Sequence, residues 1–266
     1  MLGDVTFGQY YDARSFMHKV DPRVKILLLI AYITAVFMAK NFLALAAVLF
    51  FLIVAVIFSS VPVGSLLKSI KAIYILIIFT ATLNVLFYVK KEGDTVLFWV
   101  VTKEGLINAA FLASRLILLV TGSSLLTLTT TPVSLTDGLE SLLKPLTFIK
   151  FPVHELALVM SIALRFIPTL ANETDRIMSA QKARGANFDS GNIFKRLKAL
   201  TTILIPLLIS AFRRADELGD AMDARCYTGS KIRTKYKKLK FSFRDPVAFA
   251  FTAAMITGVV LLGIYF

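Results

Sequence analysis

Seventeen consecutive residues from Phe42 to Phe58 (FLALAAVLFFLIVAVIF) carry no polar side chain. Wound as an α-helix they reach about 26 Å at 1.5 Å per residue, close to the hydrocarbon thickness of a bilayer. A run of that length has no place on the surface of a water-soluble fold, so lipid is the solvent for this part of the chain. Four other stretches come near the same length: 24–39, 72–89, 106–128 and 247–266. The first contains Lys25, whose stem is long enough to snorkel toward the interface. It is joined to 42–58 by a turn too short to hold a domain, so these two form a hairpin. Pro246 stands at the start of the last stretch, where the missing N–H costs a helix nothing. The expectation is an all-α membrane protein with about five transmembrane helices and an additional cytoplasmic module. The hydrophobic content of 57% agrees, since soluble domains average about 45–50%.

The segment before the first stretch, residues 1–20, carries Asp4, Asp12 and His18 and lacks an apolar core. It therefore reads as no cleavable signal peptide, leaving the first span to direct its own insertion.

Thirty Lys and Arg against seventeen Asp and Glu give a formal charge of +13. Such a surplus attracts nucleic acid, anionic lipid or acidic proteins, and its distribution decides among them. Twenty-five of the thirty fall in loops on one side of the expected spans: Arg14, Lys19, Arg23, Lys25, Lys68, Lys71 and nineteen between Thr131 and Asp245. Lys40, Lys90, Lys91 and Lys103 fall on the other side, and Arg115 lies inside the fourth span. The rich side is expected to be cytoplasmic. The N-terminus is then cytoplasmic and the C-terminus extracellular, and topology accounts for the charge without nucleic acid. The run from Lys231 to Arg244 (KIRTKYKKLKFSFR) reads as a solvated stretch facing anionic lipid.

Metal and redox chemistry find little to work with. Cys226 is the one cysteine, and His18 and His154 are the two histidines. No catalytic, cofactor-binding or metal-binding residue is expected, and structural roles suit all three side chains. Nor does the chain contain a G-x-x-x-x-G-K-[ST] loop, so any nucleotide phosphate is held elsewhere.

Residues 131–245 are the informative part. A short helix is expected over 133–149, starting near Pro132 and interrupted at Pro145. Two long helices follow, 153–185 and 193–226. Their apolar runs are cut by Arg165 and Pro168 in the first and by Pro206 in the second, which leaves neither expected to span a bilayer unaided. In the second, Ile193, Leu197, Leu200, Leu204, Leu207, Ala211, Ala215, Leu218 and Met222 recur at spacings of three and four, a stripe suited to a helix crossing. Leu156, Met160, Ala163, Ile167, Leu170, Thr174 and Ile177 form a looser one in the first.

The long helices end alike, in Ala180-Gln181-Lys182-Ala183-Arg184-Gly185 and Ala221-Met222-Asp223-Ala224-Arg225-Cys226, forty-one residues apart. An Ile-Pro pair precedes each, at 167–168 and 205–206. One account makes each arginine a C-cap, placed against unpaired carbonyls and the negative end of the helix dipole. The other makes the pair two guanidinium forks flanked by small residues, open to carboxylates of a partner.

With these tails in view the whole chain resembles the transmembrane T component of an energy-coupling factor transporter, an ATP-driven system for vitamin and micronutrient uptake. The resemblance implies a non-catalytic scaffold without its own cofactor. Two ABC-type ATP-binding subunits would hold the ATP and Mg²⁺, and a membrane-embedded S component would hold the substrate. It further implies crossed coupling helices whose tips, Ala183, Arg184 and Gly185 in one and Ala224, Arg225 and Cys226 in the other, dock on the ATPases. Leu197, Leu200, Leu204, Leu207, Ala211 and Ala215 would then line the crossing or the S-component face. Cys226 stands where the motif has glycine. Because cysteine disfavours positive φ, the second helix is expected to run on toward Gly229.

Two rival classes share some of these features. Asp216, Asp220 and Asp223, with Asn172, Glu173 and Asp175, faintly resemble the paired acidic motifs of Mg²⁺-dependent membrane prenyltransferases, although Arg213, Arg214 and Glu217 make a charge-laced solvated face the simpler account. A self-contained secondary transporter would need paired charges in its spans. Arg115 is the lone candidate, either as an interfacial residue if its span begins near Leu116 or as a partner of Asn84.

Overall fold

The computed structural model describes residues 10–13, 15–87, 96–98, 101–186, 193–229 and 241–265, with the side chains of 101 and 193–199 excepted. The basic run at 231–240 and the side chain of Leu197 lie outside them. Within these limits the elements are α1 (Pro22–Met38), α2 (Phe42–Ser59), α3 (Val63–Leu86), a hairpin of β1 (Val96–Phe98) and β2 (Val101–Thr102), α4 (Lys103–Thr129), α5 (Pro132–Leu143), α6 (Val153–Ala183), α7 (Ile193–Ala224) and α8 (Arg244–Tyr265). A 3-10 segment, Lys144–Ile149, continues α5 past Pro145. The described residues divide into two compact units, one drawn from 10–153 and 241–265, the other from 154–229.

In the first unit, helix starts are set by local chemistry. Asp21 caps α1 by accepting from the Arg23 N–H at 2.9 Å, with Pro22 at the first helical position. Thr102 and Thr131 cap α4 and α5 in the same way, accepting from the N–H groups of Gly105 and Ser134. The core gathers Tyr32, Val36, Val48, Leu52, Leu118 and Met255, contributed by α1, α2, α4 and α8. Gly122 of α4 permits the close approach of α1, because a Cβ there would overlap the Tyr32 ring, whose hydroxyl donates to the Leu118 carbonyl at 2.8 Å. By contrast α3 buries only Leu66 and packs on α4.

Contacts at the helix ends fix the directions. The buried Asp245 at the start of α8 accepts from the Asp21 N–H at the start of α1 at 2.9 Å, so these two run parallel. Lys25, near the same end of α1, donates to the Thr129 carbonyl at 2.8 Å and the Thr130 hydroxyl at 3.0 Å, which places the end of α4 there. Val61 and Leu66, at the junction of α2 and α3, pack with Leu125 and Leu128. One end of the bundle therefore collects the basic segments around Arg23, Lys25, Lys68 and Lys71. At the other end Arg115 donates to the Ala39 carbonyl at 2.6 Å.

Among the described residues five helices are long and apolar enough to cross a membrane: α2, α3, α4, α6 and α8. The number equals the expectation but the set differs. At 17 residues α1 sits at the lower end of a span's length and still covers the expected first stretch, whereas α6 runs unbroken for 31 residues through Arg165 and Pro168. An interior proline removes one backbone hydrogen bond and bends a helix, and flanking turns can carry it through. Other expectations also need correction. Lys25 does not snorkel but is buried against the end of α4. Arg115 lies within α4, level with the end of α1, and Asn84 does not partner it but donates within its own helix, to the Thr80 carbonyl. The β1–β2 hairpin is an addition to the all-helical expectation.

Candidate functional site: two arginine tips on crossed helices

The second unit contains most of α6 and all of α7. The two helices meet where both carboxylate oxygens of Glu173 are engaged, one by the Ser210 hydroxyl at 2.6 Å and the other by Arg214 Nη2 at 2.6 Å. This polar contact sits inside an otherwise apolar crossing. Among the apolar residues flanking it on α7, Ile203 is buried and Leu207, Ala211 and Leu218 are half-buried.

The described residues expected at the crossing or the S-component face divide between a covered and an exposed side of α7. Leu200 and Leu204 are 56% and 62% exposed, and Ala215 is exposed too, while Leu207 and Ala211 belong to the covered side. A spacing of three or four fits two adjacent rows of a long apolar helix equally well, and the polar members Ser210 and Arg214 mark the covered one. Leu204, Ile205, Leu208, Ile209 and Phe212 leave an exposed apolar face on α7.

Both helices end in the same hydrogen-bonded cap. In α6 the Gly185 N–H donates to the Lys182 carbonyl at 3.0 Å and the Ala186 N–H to the Gln181 carbonyl at 2.9 Å. In α7 the Cys226 N–H donates to the Asp223 carbonyl at 2.8 Å and the Tyr227 N–H to the Met222 carbonyl at 3.0 Å. These are paired Schellman caps, with the left-handed residue at Gly185 (φ 86°) and Cys226 (φ 55°). The expected extension toward Gly229 does not occur: α7 stops at Ala224. Two cap hydrogen bonds offset the steric cost of a Cβ in the left-handed region, about 1–2 kcal/mol.

Each cap puts its arginine, Arg184 or Arg225, at the last half-helical position. Ala183, Arg184 and Gly185 are all exposed, as are Ala224, Arg225 and Cys226. Among the described residues neither guanidinium is engaged by a hydrogen bond or an ion pair. The cap hydrogen bonds are made entirely by the backbone and occupy neither guanidinium, and each arginine stands beside an exposed alanine.

The family model described as cobalt transport protein, CbiQ, matches residues 13–236, a stretch that includes both tips. A protein of Clostridium kluyveri named energy-coupling factor transporter transmembrane protein EcfT is 51% identical over 251 residues, 93% of each chain. Proteins of the same name from Acidaminococcus fermentans and Bacillus subtilis are 46% and 42% identical, over all of this chain and 96% and 98% of theirs. The chain belongs to the EcfT family.

As an EcfT-family protein it is a multi-pass membrane component of an energy-coupling factor transporter. The acidic residues that resembled a prenyltransferase set have other surroundings. Glu173 is taken up by Ser210 and Arg214, and Asp216, Asp220 and Asp223 are exposed along α7. Among the described residues no three of His, Cys, Asp and Glu come together as a metal site. His18 is held by the Ser15 hydroxyl at 2.7 Å and the Tyr11 carbonyl at 2.8 Å, a local contact at the entry to α1.

Proposed function

We propose that this EcfT-family chain is the scaffold and coupling subunit of its transporter, linking ATP hydrolysis by two cytoplasmic ABC-type subunits to uptake through a membrane-embedded S component. The observation carrying this reading is the pair of matched caps, each presenting an exposed arginine between small residues. A guanidinium in such a setting can pair bidentately with a carboxylate in a partner's groove. Closure of the ATPases on ATP would displace both tips, and packed helices pass on such a displacement as rigid units.

In this reading the basic end of the bundle is cytoplasmic, so the N-terminus is cytoplasmic and α8 ends on the extracellular side of the plasma membrane. Residues 131–245 form the coupling module. The apolar first half of α6 rests in or against the membrane, and its polar second half, from Asn172 onward, projects toward the ATPases. The exposed Leu204, Ile205, Leu208, Ile209 and Phe212 face of α7 takes the S component. The chain itself performs no catalysis and binds no cofactor; ATP and Mg²⁺ belong to the ATP-binding subunits.

The test replaces Arg184 and Arg225 by Glu, singly and together. Removing one partner of a buried charge pair costs about 2–5 kcal/mol, so the double variant is expected to lose its ATP-binding subunits on purification and its uptake in cells. Unchanged copurification and uptake would refute the proposal.

A further inference from the structure

The sequence repeat and the helix crossing share one register. Glu173 and Arg214 are forty-one residues apart, as are Arg184 and Arg225, so each tip lies eleven residues beyond the crossing contact on its own helix. At 1.5 Å per residue both arms measure about 16 Å. Burial follows the same register. Ile162 and Ile203, Phe166 and Leu207, and Leu170 and Ala211 are covered pairwise at the same offset. Equivalent positions meet each other only where a two-fold axis passes through the contact. The crossing is therefore a local pseudo-two-fold, with Glu173 and Arg214 on its axis. Opposite charges occupy the equivalent positions, so the axis carries an attractive pair where strict identity would place two like charges together.

We infer that Glu173, Ser210 and Arg214 form a pivot that sets the separation and equal reach of the two arginine tips, and so act as positioning residues for energy coupling. The inference rests on the proposed coupling function and deepens it. An apolar crossing between two helices with alternative rows at three- and four-residue spacing can slip by a row. A carboxylate engaged from two residues of the facing helix, Ser210 and Arg214, fixes one register. Slippage of one helix by a turn would lengthen or shorten its own arm by about 5.4 Å while the other arm stays the same, leaving the tips unequal.

The experiment places spin labels at Ser179→Cys and Asp220→Cys, equivalent exposed positions six residues beyond the pivot, in a Cys226→Gly background of the full chain. Inter-label distances, copurification of ATP-binding subunits and their rate of ATP hydrolysis are measured for Glu173→Gln, Arg214→Met and the swap Glu173→Arg with Arg214→Glu. The single variants are expected to retain the subunits, to broaden the inter-label distribution by several ångströms, and to lose about fivefold or more of the hydrolysis rate, the lower end of ordinary coupling factors. The swap is expected to restore a narrow distribution and most of the rate. Distances unchanged in both single variants, or a folded swap that leaves them broad, would overturn the pivot. Equal copurification of subunits by the wild-type chain and the Arg184→Glu, Arg225→Glu double variant would instead sink the coupling function, with the pivot then decided by the label distances alone.

Discussion

Lys25 of α1 and Arg115 of α4 cap each other's helices. Lys25 donates to the Thr129 carbonyl at the end of α4, and Arg115 donates to the Ala39 carbonyl at the end of α1. The capped carbonyl lies fourteen residues beyond the cation on each helix, so this antiparallel pair is closed at both ends over about 21 Å. The last carbonyls of a helix have no intrahelical donor, and inside a membrane no water replaces it. A cation on the neighbouring helix supplies what the helix lacks. Phe111 adds a ring face 4.7 Å from the Arg115 guanidinium carbon.

Lys25→Met and Arg115→Met are each expected to destabilise the protein by about 1.5–3 kcal/mol, the range for hydrogen bonds to charged groups. Because the sites lie well apart and share no partner, their effects should add to within about 0.5 kcal/mol. Thermal unfolding of the detergent-solubilised single and double variants measures this. Arg115→Lys should recover part of the loss, since one donor suffices for one carbonyl. A silent Arg115→Met would mean the Ala39 carbonyl is satisfied without the guanidinium.

Gly122→Ala is expected to cost about 1–3 kcal/mol through overpacking. The new methyl would overlap the Tyr32 ring and force it away, breaking the hydroxyl's hydrogen bond to Leu118. Pairing the substitution with Tyr32→Leu, which removes the ring, should make Gly122→Ala nearly neutral in that background. A double-mutant cycle on unfolding temperatures decides it: strictly additive effects would show that the ring is not the obstacle.

Cys226→Gly should stabilise the end of α7. Cys226 has φ 55°, a region that costs an L-residue about 1–2 kcal/mol, and glycine enters it without the Cβ clash. The greater freedom of glycine in the unfolded chain takes back part of that gain, so a net stabilisation of about 0.5–1 kcal/mol is expected. Cys226→Val should move the other way. Hydrogen exchange at the amides of residues 226 and 227, which make the two cap bonds, reads the change locally: slower in the glycine variant, faster in the valine one.

The fold was legible where one physical demand dominated. The Phe42–Phe58 run, the proline at the start of α5 and the left-handed end at Gly185 each follow from a single rule, and each lies where the sequence places it. The misreadings arose where two demands competed. Cys226 was expected to prolong α7 because its Cβ disfavours the cap, but the backbone hydrogen bonds of the last turn outweigh that cost. Apolar spacing alone leaves Leu200 and Leu204 open to either the crossing or the S-component face, because it cannot separate adjacent rows of a helix that is apolar over much of its circumference. The informative signal was polar: Ser210 and Arg214, four residues apart, with Glu173 at the matching place in the repeat. Lys25 and Arg115 were read from their charge against lipid, and their partners, main-chain carbonyls of a distant helix, leave no mark in the sequence.

Asp245 joins the starts of α1 and α8, and its removal supplies a further test. The side chain is 1% exposed and accepts from two backbone donors, the Asp21 N–H at 2.9 Å and the Ser242 N–H at 2.6 Å. Asp245→Ala leaves both without their acceptor: the buried Asp21 amide so orphaned costs about 1–3 kcal/mol, while the amide of the exposed Ser242 turns to water at smaller cost. Asp245→Asn keeps one carbonyl oxygen and should lose about half as much. It cannot serve both amides, because its nitrogen is itself a donor and would face an N–H. Thermal unfolding should therefore rank wild type above Asn and Asn above Ala, and exchange at the Asp21 amide should quicken in the same order. An alanine variant as stable as the wild type would show that water reaches these amides, and the parallel docking of α1 and α8 would then rest on the apolar contacts around Met255 and Val259 alone.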